Sequence, residues 1–181
     1  ELVFDNCRIS IDSLVGDVEG KGYGQVMNAL EAGRINVAAR AVGVASAALE
    51  AALKYSSERE TFGTPINQLQ AIQMKLADMA TKVHAARLLT YDAASKKDTG
   101  VRSDLEAGMA KLFASEICAE VTLDAMRIFG GYGYIKDLPL ERYYRDAPLM
   151  IVGEGTNEIQ RLVIAKRLIE QMNTDQNQYL F

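Results

Sequence analysis

An all-α fold, a four-helix bundle, is what this sequence predicts, on three observations. Apolar residues recur at steps of three and four through most of the chain. Only 3 prolines occur in 181 residues, which leaves room for long helices. The periodic stretches end at glycine-marked breaks short enough to fold each helix back on the last.

The first 22 residues are the exception. ELVFDNCRIS alternates and contains β-formers, and VGDVEGKGYG is a glycine-rich connector. So little β-structure does not stand alone. Residues 1–22 therefore read as the last strand of a preceding unit plus a linker, and residues 23–181 as the helical bundle. The chain starts with Glu rather than Met, as a fragment or processed product would.

The first helix is expected from about residue 24 to 58. Its small residues (NVAARAVGVASAALEAALKY) imply close approach by a neighbouring helix or a ligand. ERETFGTPIN breaks it, with Pro65 where a first helical turn would start. In the second helix Leu69, Ile72, Leu76, Met79, Val83 and Ala86 form one stripe, with Lys75, Asp78 and Lys82 opposite. Gly100 marks the next break. Ser103 with Glu106 three residues on has a capping-box pattern. The third helix places Leu105, Met109, Leu112, Phe113, Ile117 and Val121 on one stripe and stops at Gly130-Gly131. A short helix is expected near LPLERYYRDA. The last begins near Thr156 and carries Ile159, Leu162, Val163 and Leu168.

Hydrophobic residues at 49% and charged residues at 24% fit a soluble globular protein. A net charge of −4 argues against a nucleic-acid binder, so any phosphate-bearing ligand must meet a local basic cluster. Cys7 and Cys118 lie far apart without CxxC spacing, and His84 is the sole histidine, so no metal site is expected. His84, mid-helix in TKVHAARLL, reads as an ordinary helix residue. No apolar run of membrane-span length and no secretory signal is visible.

Four motifs stand out, and three of them admit two readings. GGYGY follows a helix rather than a strand and lacks a following Lys-Ser/Thr, so nucleotide-loop logic fails. It is a helix stop and turn, or bare backbone that a ligand approaches. Arg59 and Phe62 in ERETFG complement a helix C-terminus, or grip a phosphate and stack on a ring. Arg142 and Arg145 beside Glu141 and Asp146 suit surface ion pairs. Glu154, between Gly153 and Gly155 at a helix entrance, is a cap or a substrate-accessible base, and the pattern does not choose.

Taken together, ERETFGTPINQLQAIQMKLADMA, RIFGGYGYIKDLPLERYYRDA and GEGTNEIQRLVIAKRLI strongly resemble the carboxy-terminal helical domain of acyl-CoA dehydrogenases. The likeness covers nearly the whole chain, in order and spacing. ELVFDNCRIS…GKGYG resembles the exit from that family's middle β-domain. The resemblance implies FAD-dependent α,β-dehydrogenation of an acyl-CoA thioester, with Glu154 as the base that takes the α-proton. Some branches of the family carry the base one residue before the arginine of a GR-like pair; here that position is Gly33, which agrees with the commoner arrangement. Arg59, Thr61, Phe62 and Gln70 match positions that reach a neighbouring subunit's FAD. Arg127, Ile128, Phe129, Gly130 and Gly131 match the segment whose backbone meets the adenosine of that same FAD. Thr156 and Glu158 match FAD contacts within the subunit, and Glu31, Arg34 and Gly155 match positions near the acyl-CoA. The family often has Gln where this chain has Arg127.

The resemblance further implies a homo-oligomer, a dimer of dimers, with electron-transfer flavoprotein or a similar acceptor, in bacterial cytoplasm or mitochondrial matrix. Without the preceding domains the fragment is expected to be inactive. Two other readings compete: a non-catalytic helical assembly or binding subunit of the same family, and an acyl-CoA oxidase-type flavoenzyme.

Overall fold

The computed structural model describes residues 1–173, and it is all-helical apart from one short hairpin. Residues 174–181 of the expected bundle lie outside the described residues. Five helices follow in order: α1 (Gly22–Glu58), α2 (Gln70–Asp98), α3 (Asp104–Phe129), α4 (Leu140–Val152) and α5 (Asn157–Asn173). α3 packs against all four of the others. The expected stripe on α3 is thus only part of its buried surface. Ala107, Lys111, Ala114, Cys118 and Ala125, which continue the period through Val121 of that stripe, are buried as well.

Small residues on α1 form its buried face. Ala38, Ala41, Ala45, Ala48 and Ala52 have no exposed surface and share one core with Ala110, Ala114 and Cys118 of α3. Side chains this short let two backbones approach closely. Met79 and Val83 from α2 and Leu140 and Met150 from α4 complete the core, each contributing about 1.5–3 kcal/mol of apolar burial. By length and composition α1 would also be long and apolar enough to cross a membrane, contrary to the expectation of no such run. Here its alanine face is turned into the bundle.

Other expectations need correction. Residues 1–10 form no strand, because no neighbouring strand supplies a ladder to satisfy their N–H and C=O groups. The ERETFG break is a two-strand antiparallel hairpin, β1 (Glu60–Thr61) with β2 (Thr64–Pro65). Its turn residues Phe62 and Gly63 both have positive φ, +56° and +80°, as a tight hairpin turn demands. Lys75 and Lys82 do not face away from the bundle; they reach Asp124 and Glu120 of α3 at 2.9 and 2.6 Å. The capping box does not form. Ser103 Oγ donates instead to Glu31 on α1 at 2.7 Å, and Glu106 pairs with Lys96 at 3.1 Å. α4 runs to Val152, through Pro148, further than the short helix expected. α5 presents Ile159 and Leu162 outward while Asn157 and Gln160 are its fully buried residues, so the start of its inner face is polar. Arg145 does pair with Glu141, at 3.2 Å.

Candidate functional site

Glu154 lies in the turn between α4 and α5, and the backbone there is unusual. Glu154 has φ +55°, in the left-handed region that side-chain-bearing residues seldom adopt, and Gly155 follows at +85°. The carboxylate does not cap α5. Thr156 takes that part, its Oγ1 accepting from the Ile159 N–H at 3.4 Å. The Glu154 side chain instead reaches α1 and lies against Gly33: a Cβ added there would stand 2.7 Å from Oε2 and 2.8 Å from Cδ. Bare glycine at 33 makes the space in which this carboxylate sits, and no second carboxylate at 33 would fit beside it. Glu158, exposed in the first turn of α5, accepts from its own backbone N–H and from Thr156, which holds its carboxyl below the ordinary value.

Beneath this turn is a buried polar layer. Lys111 has no exposed surface; its Nζ donates to the Ile151 carbonyl at 2.7 Å and to Asn157 Oδ1 at 2.6 Å. Asn157 Nδ2 donates to Ser115 Oγ at 3.0 Å. Burial pushes the Lys111 ammonium down to about 8, with Arg34 adding to the fall and Glu158 and Glu116 opposing it. Gln160 Nε2 donates to the carbonyls of Glu154 and Gly155 at 3.3 and 3.0 Å. Arg34 Nε and Gln160 Oε1 are buried without a hydrogen-bond partner among the described residues.

Next to Gly33 begins a polar groove of about 670 Å³. Glu31, Arg34, Lys97, Arg102, Asp104, Lys166 and Arg167 line it, five cations against two acids. Asp104 pairs with Arg102 at 3.2 Å and with Arg167 at 2.7 Å, so part of this cationic excess is already neutralised. Glu31 is already engaged, accepting from Ser103 N and Oγ and pairing with Lys97 at 3.1 Å. Burial alone would raise its carboxyl, but the Ser103 and Lys97 donors outweigh that and hold it below the ordinary value.

The other candidate residues gather at the far end of α1. Arg59, Thr61 and the Arg127–Gly131 segment line one open groove of about 610 Å³. Phe62 projects from the hairpin tip 94% exposed. Gln70 is exposed at the start of α2 and does not line the groove. The side chains of Ile128 and Phe129 are buried, Phe129 stacked on Tyr55 at 4.0 Å, so this segment offers a ligand its backbone. Gly130 and Gly131 have nothing within 4 Å of an added Cβ, which leaves that backbone open. Arg127 is exposed and paired with Asp124 at 3.2 Å. From Gly33 to Arg59 α1 climbs roughly 39 Å at 1.5 Å per residue, so the two sites are distinct.

Motif reading missed Lys111, Asn157 and Gln160, and also Lys97, Arg102, Lys166 and Arg167. One signal was available: Lys111 is a lone charge in register with the alanine face of α3. The basic groove had none, since its cations come from three helices and a loop.

The described residues thus form an α-helical bundle in which a carboxylate is seated against a glycine of α1 and a groove lined by five cations and two acids opens nearby. Over residues 20–169 the chain matches the family described as acyl-CoA dehydrogenase, C-terminal domain, and it belongs to the acyl-CoA dehydrogenase family, whose members are flavoprotein oxidoreductases. It is 50% identical over 169 residues to the mitochondrial short-chain specific acyl-CoA dehydrogenase of Bos taurus, covering 93% of this chain and 41% of that protein. It is 46% identical over 170 residues to the 3-(aryl)acrylate reductase of Clostridium sporogenes, covering 94% of this chain and 45% of that protein. Among solved structures, butyryl-CoA dehydrogenase of Megasphaera elsdenii superposes with a TM-score of 0.82 at 46% identity, covering 84% of this chain and 40% of that one. The chain spans less than half the length of these relatives.

Proposed function

We propose that this chain is the catalytic C-terminal domain of a FAD-dependent acyl-CoA dehydrogenase, residues 1–22 ending a middle β-domain and residues 23–181 forming the bundle. The observation that carries the reading is the Glu154 carboxylate, set on a left-handed turn and seated against Gly33. An α-proton beside a thioester is weakly acidic, so its removal needs a carboxylate held over Cα and donors for the carbonyl oxygen. Glu154 takes that proton, and its turn presents backbone N–H groups for the thioester oxygen. A flavin held beside Thr156 and Glu158 would supply the acceptor for the hydride lost from Cβ. Arg34, Lys97, Arg102, Lys166 and Arg167 suit the phosphates of a coenzyme A thioester, and the groove opens one residue from Gly33.

The residues fit two flavin contacts rather than one. Thr156 and Glu158 lie beside Glu154, whereas Arg59, Thr61 and the Arg127–Gly131 backbone lie at the far end of α1. A spacing of this order supports contact with the cofactor of a second copy, hence a homo-oligomer, a dimer of dimers, with Phe62 and Gln70 flanking the same groove. Electron-transfer flavoprotein is the proposed acceptor; one relative is named as the CarC subunit of a caffeyl-CoA reductase-Etf complex of Acetobacterium woodii, at 43% identity. Two relatives bear reductase names, so the same residues working in reverse, with Glu154 delivering the proton, form the second reading.

Glu154→Gln in the full-length, FAD-loaded protein should lower turnover of acyl-CoA by several orders of magnitude with flavin retained; normal turnover would remove Glu154 as the base. The fragment alone, lacking most of the flavin walls, should purify colourless and inactive. A yellow fragment with stoichiometric FAD would contradict that.

A further inference from the structure

The turn that carries Glu154 is held from below by two side chains outside the motif assignments. Gln160 has no exposed surface, and its amide nitrogen donates to both the Glu154 and Gly155 carbonyls. An amide nitrogen carries two protons, so both are committed to this turn. With the two carbonyls drawn inward to Gln160, the carbonyl sides of these peptides are fixed. The contact is close packed as well: a Cβ on Gly155 would stand 2.9 Å from Gln160 Nε2. Lys111, equally buried, donates to Ile151 at the end of α4 and to Asn157 at the start of α5. It therefore ties together the residues on either side of the Gly153–Thr156 turn.

Such support is needed. Left-handed backbone is strained at a residue with a side chain, and it persists only where its surroundings over-determine it. Glu154 is in that conformation and its carboxylate depends on it to reach Gly33. Apolar residues would fill the same volume without the desolvation penalty of a buried ammonium. The depressed Lys111 amine shows that penalty, and the charges facing it are Arg34 on α1, Glu116 on α3 and Glu158 on α5.

We infer that Gln160 and Lys111 are positioning residues for Glu154: their four donated hydrogen bonds, from α5 and α3, lock the strained turn so that the carboxylate stays against Gly33. The inference rests on Glu154 being the base.

The test uses the full-length, FAD-loaded protein and compares Gln160→Met, Lys111→Met, Glu154→Gln and Met79→Ala, a core control on α2. Turnover, KM for an acyl-CoA, the visible flavin spectrum and the melting temperature are measured for each. Gln160→Met and Lys111→Met should each lower kcat roughly 100-fold while KM stays within about threefold of wild type and flavin is retained. Met79→Ala should melt earlier with kcat unchanged. Wild-type kcat in both methionine variants, with Glu154→Gln inactive, would overturn the clamp and leave the base intact. An active Glu154→Gln would overturn the base reading itself. If the methionine variants do not fold, Gln160→Asn and Lys111→Arg carry the test, read by deuterium exchange across residues 153–156. Faster exchange with lower kcat supports the clamp, and unchanged exchange or unchanged kcat overturns it.

Discussion

The two ends of α1 are built in opposite ways. Near Gly33 the protein concentrates buried polar groups: Lys111 and Gln160 are fully enclosed, and a carboxylate is set on strained backbone. Near Arg59 the chain leaves its functional groups open: Phe62 projects into solvent, and Gly130 and Gly131 present bare backbone to a groove. The difference matches what the proposed function would ask of each end. Moving a proton requires one atom held to a fraction of an ångström, which only a packed and satisfied shell provides. Receiving a ligand from outside requires exposed donors and room, and rigidity matters there only in the supporting core, where Phe129 stacks on Tyr55.

The sharpest break in this contrast is Lys111→Met. It leaves the Ile151 carbonyl without its donor inside the bundle and should destabilise by about 3 kcal/mol, read from chemical denaturation. The pH dependence adds a signature. The Lys111 amine sits near 8 in the folded protein against 10.5 when unfolded, so between those values the unfolded chain binds the extra proton. Stability from this group therefore rises as pH increases from about 8 toward 10.5. The gap between wild type and Lys111→Met should widen over that window, and a gap that shrinks would contradict the burial argument.

Gly33→Ala separates site from fold. The new methyl collides with the end of a flexible Glu154 side chain rather than with backbone, so the melting temperature should hardly move. Turnover should still fall, by roughly 100-fold, because the carboxylate is displaced. Retained turnover would mean that the seat on Gly33 is not required. The smallest effect belongs to the bundle flank. Lys82 and Glu120 pair at 2.6 Å but are half exposed, so Lys82→Met should change stability by less than about 1 kcal/mol, and less again in high salt.

How much of this was legible varied by element. The helices of α1, α2 and α3 were readable because their periods repeat over many turns, and the glycine breaks marked where they stop. The hairpin at residues 60–65 was not, since two-residue strands carry no period of their own. The α5 stripe misled: Ile159 and Leu162 are exposed, whereas Asn157 and Gln160 bury because Lys111, Ser115 and the Glu154 turn supply their partners. For the same reason Ser103 abandons the expected capping box, because Glu31 on another helix offers its hydroxyl a charged acceptor.

By itself the sequence determined the helical class, the places where helices end, the close approach that an alanine-rich α1 requires, and the family. Each of these depends on local propensity, period or motif spacing, which a linear chain displays in full. Only the tertiary structure decided that Glu154 turns toward Gly33 instead of capping α5, that cations from three helices and a loop, Arg34 among them, line one groove, and that a buried lysine spans its turn. Those relations join residues far apart in the chain, such as Gly33 and Glu154, 121 positions from one another. Their energetics depend on shared burial and on hydrogen bonds between helices, and neither exists until the helices have packed.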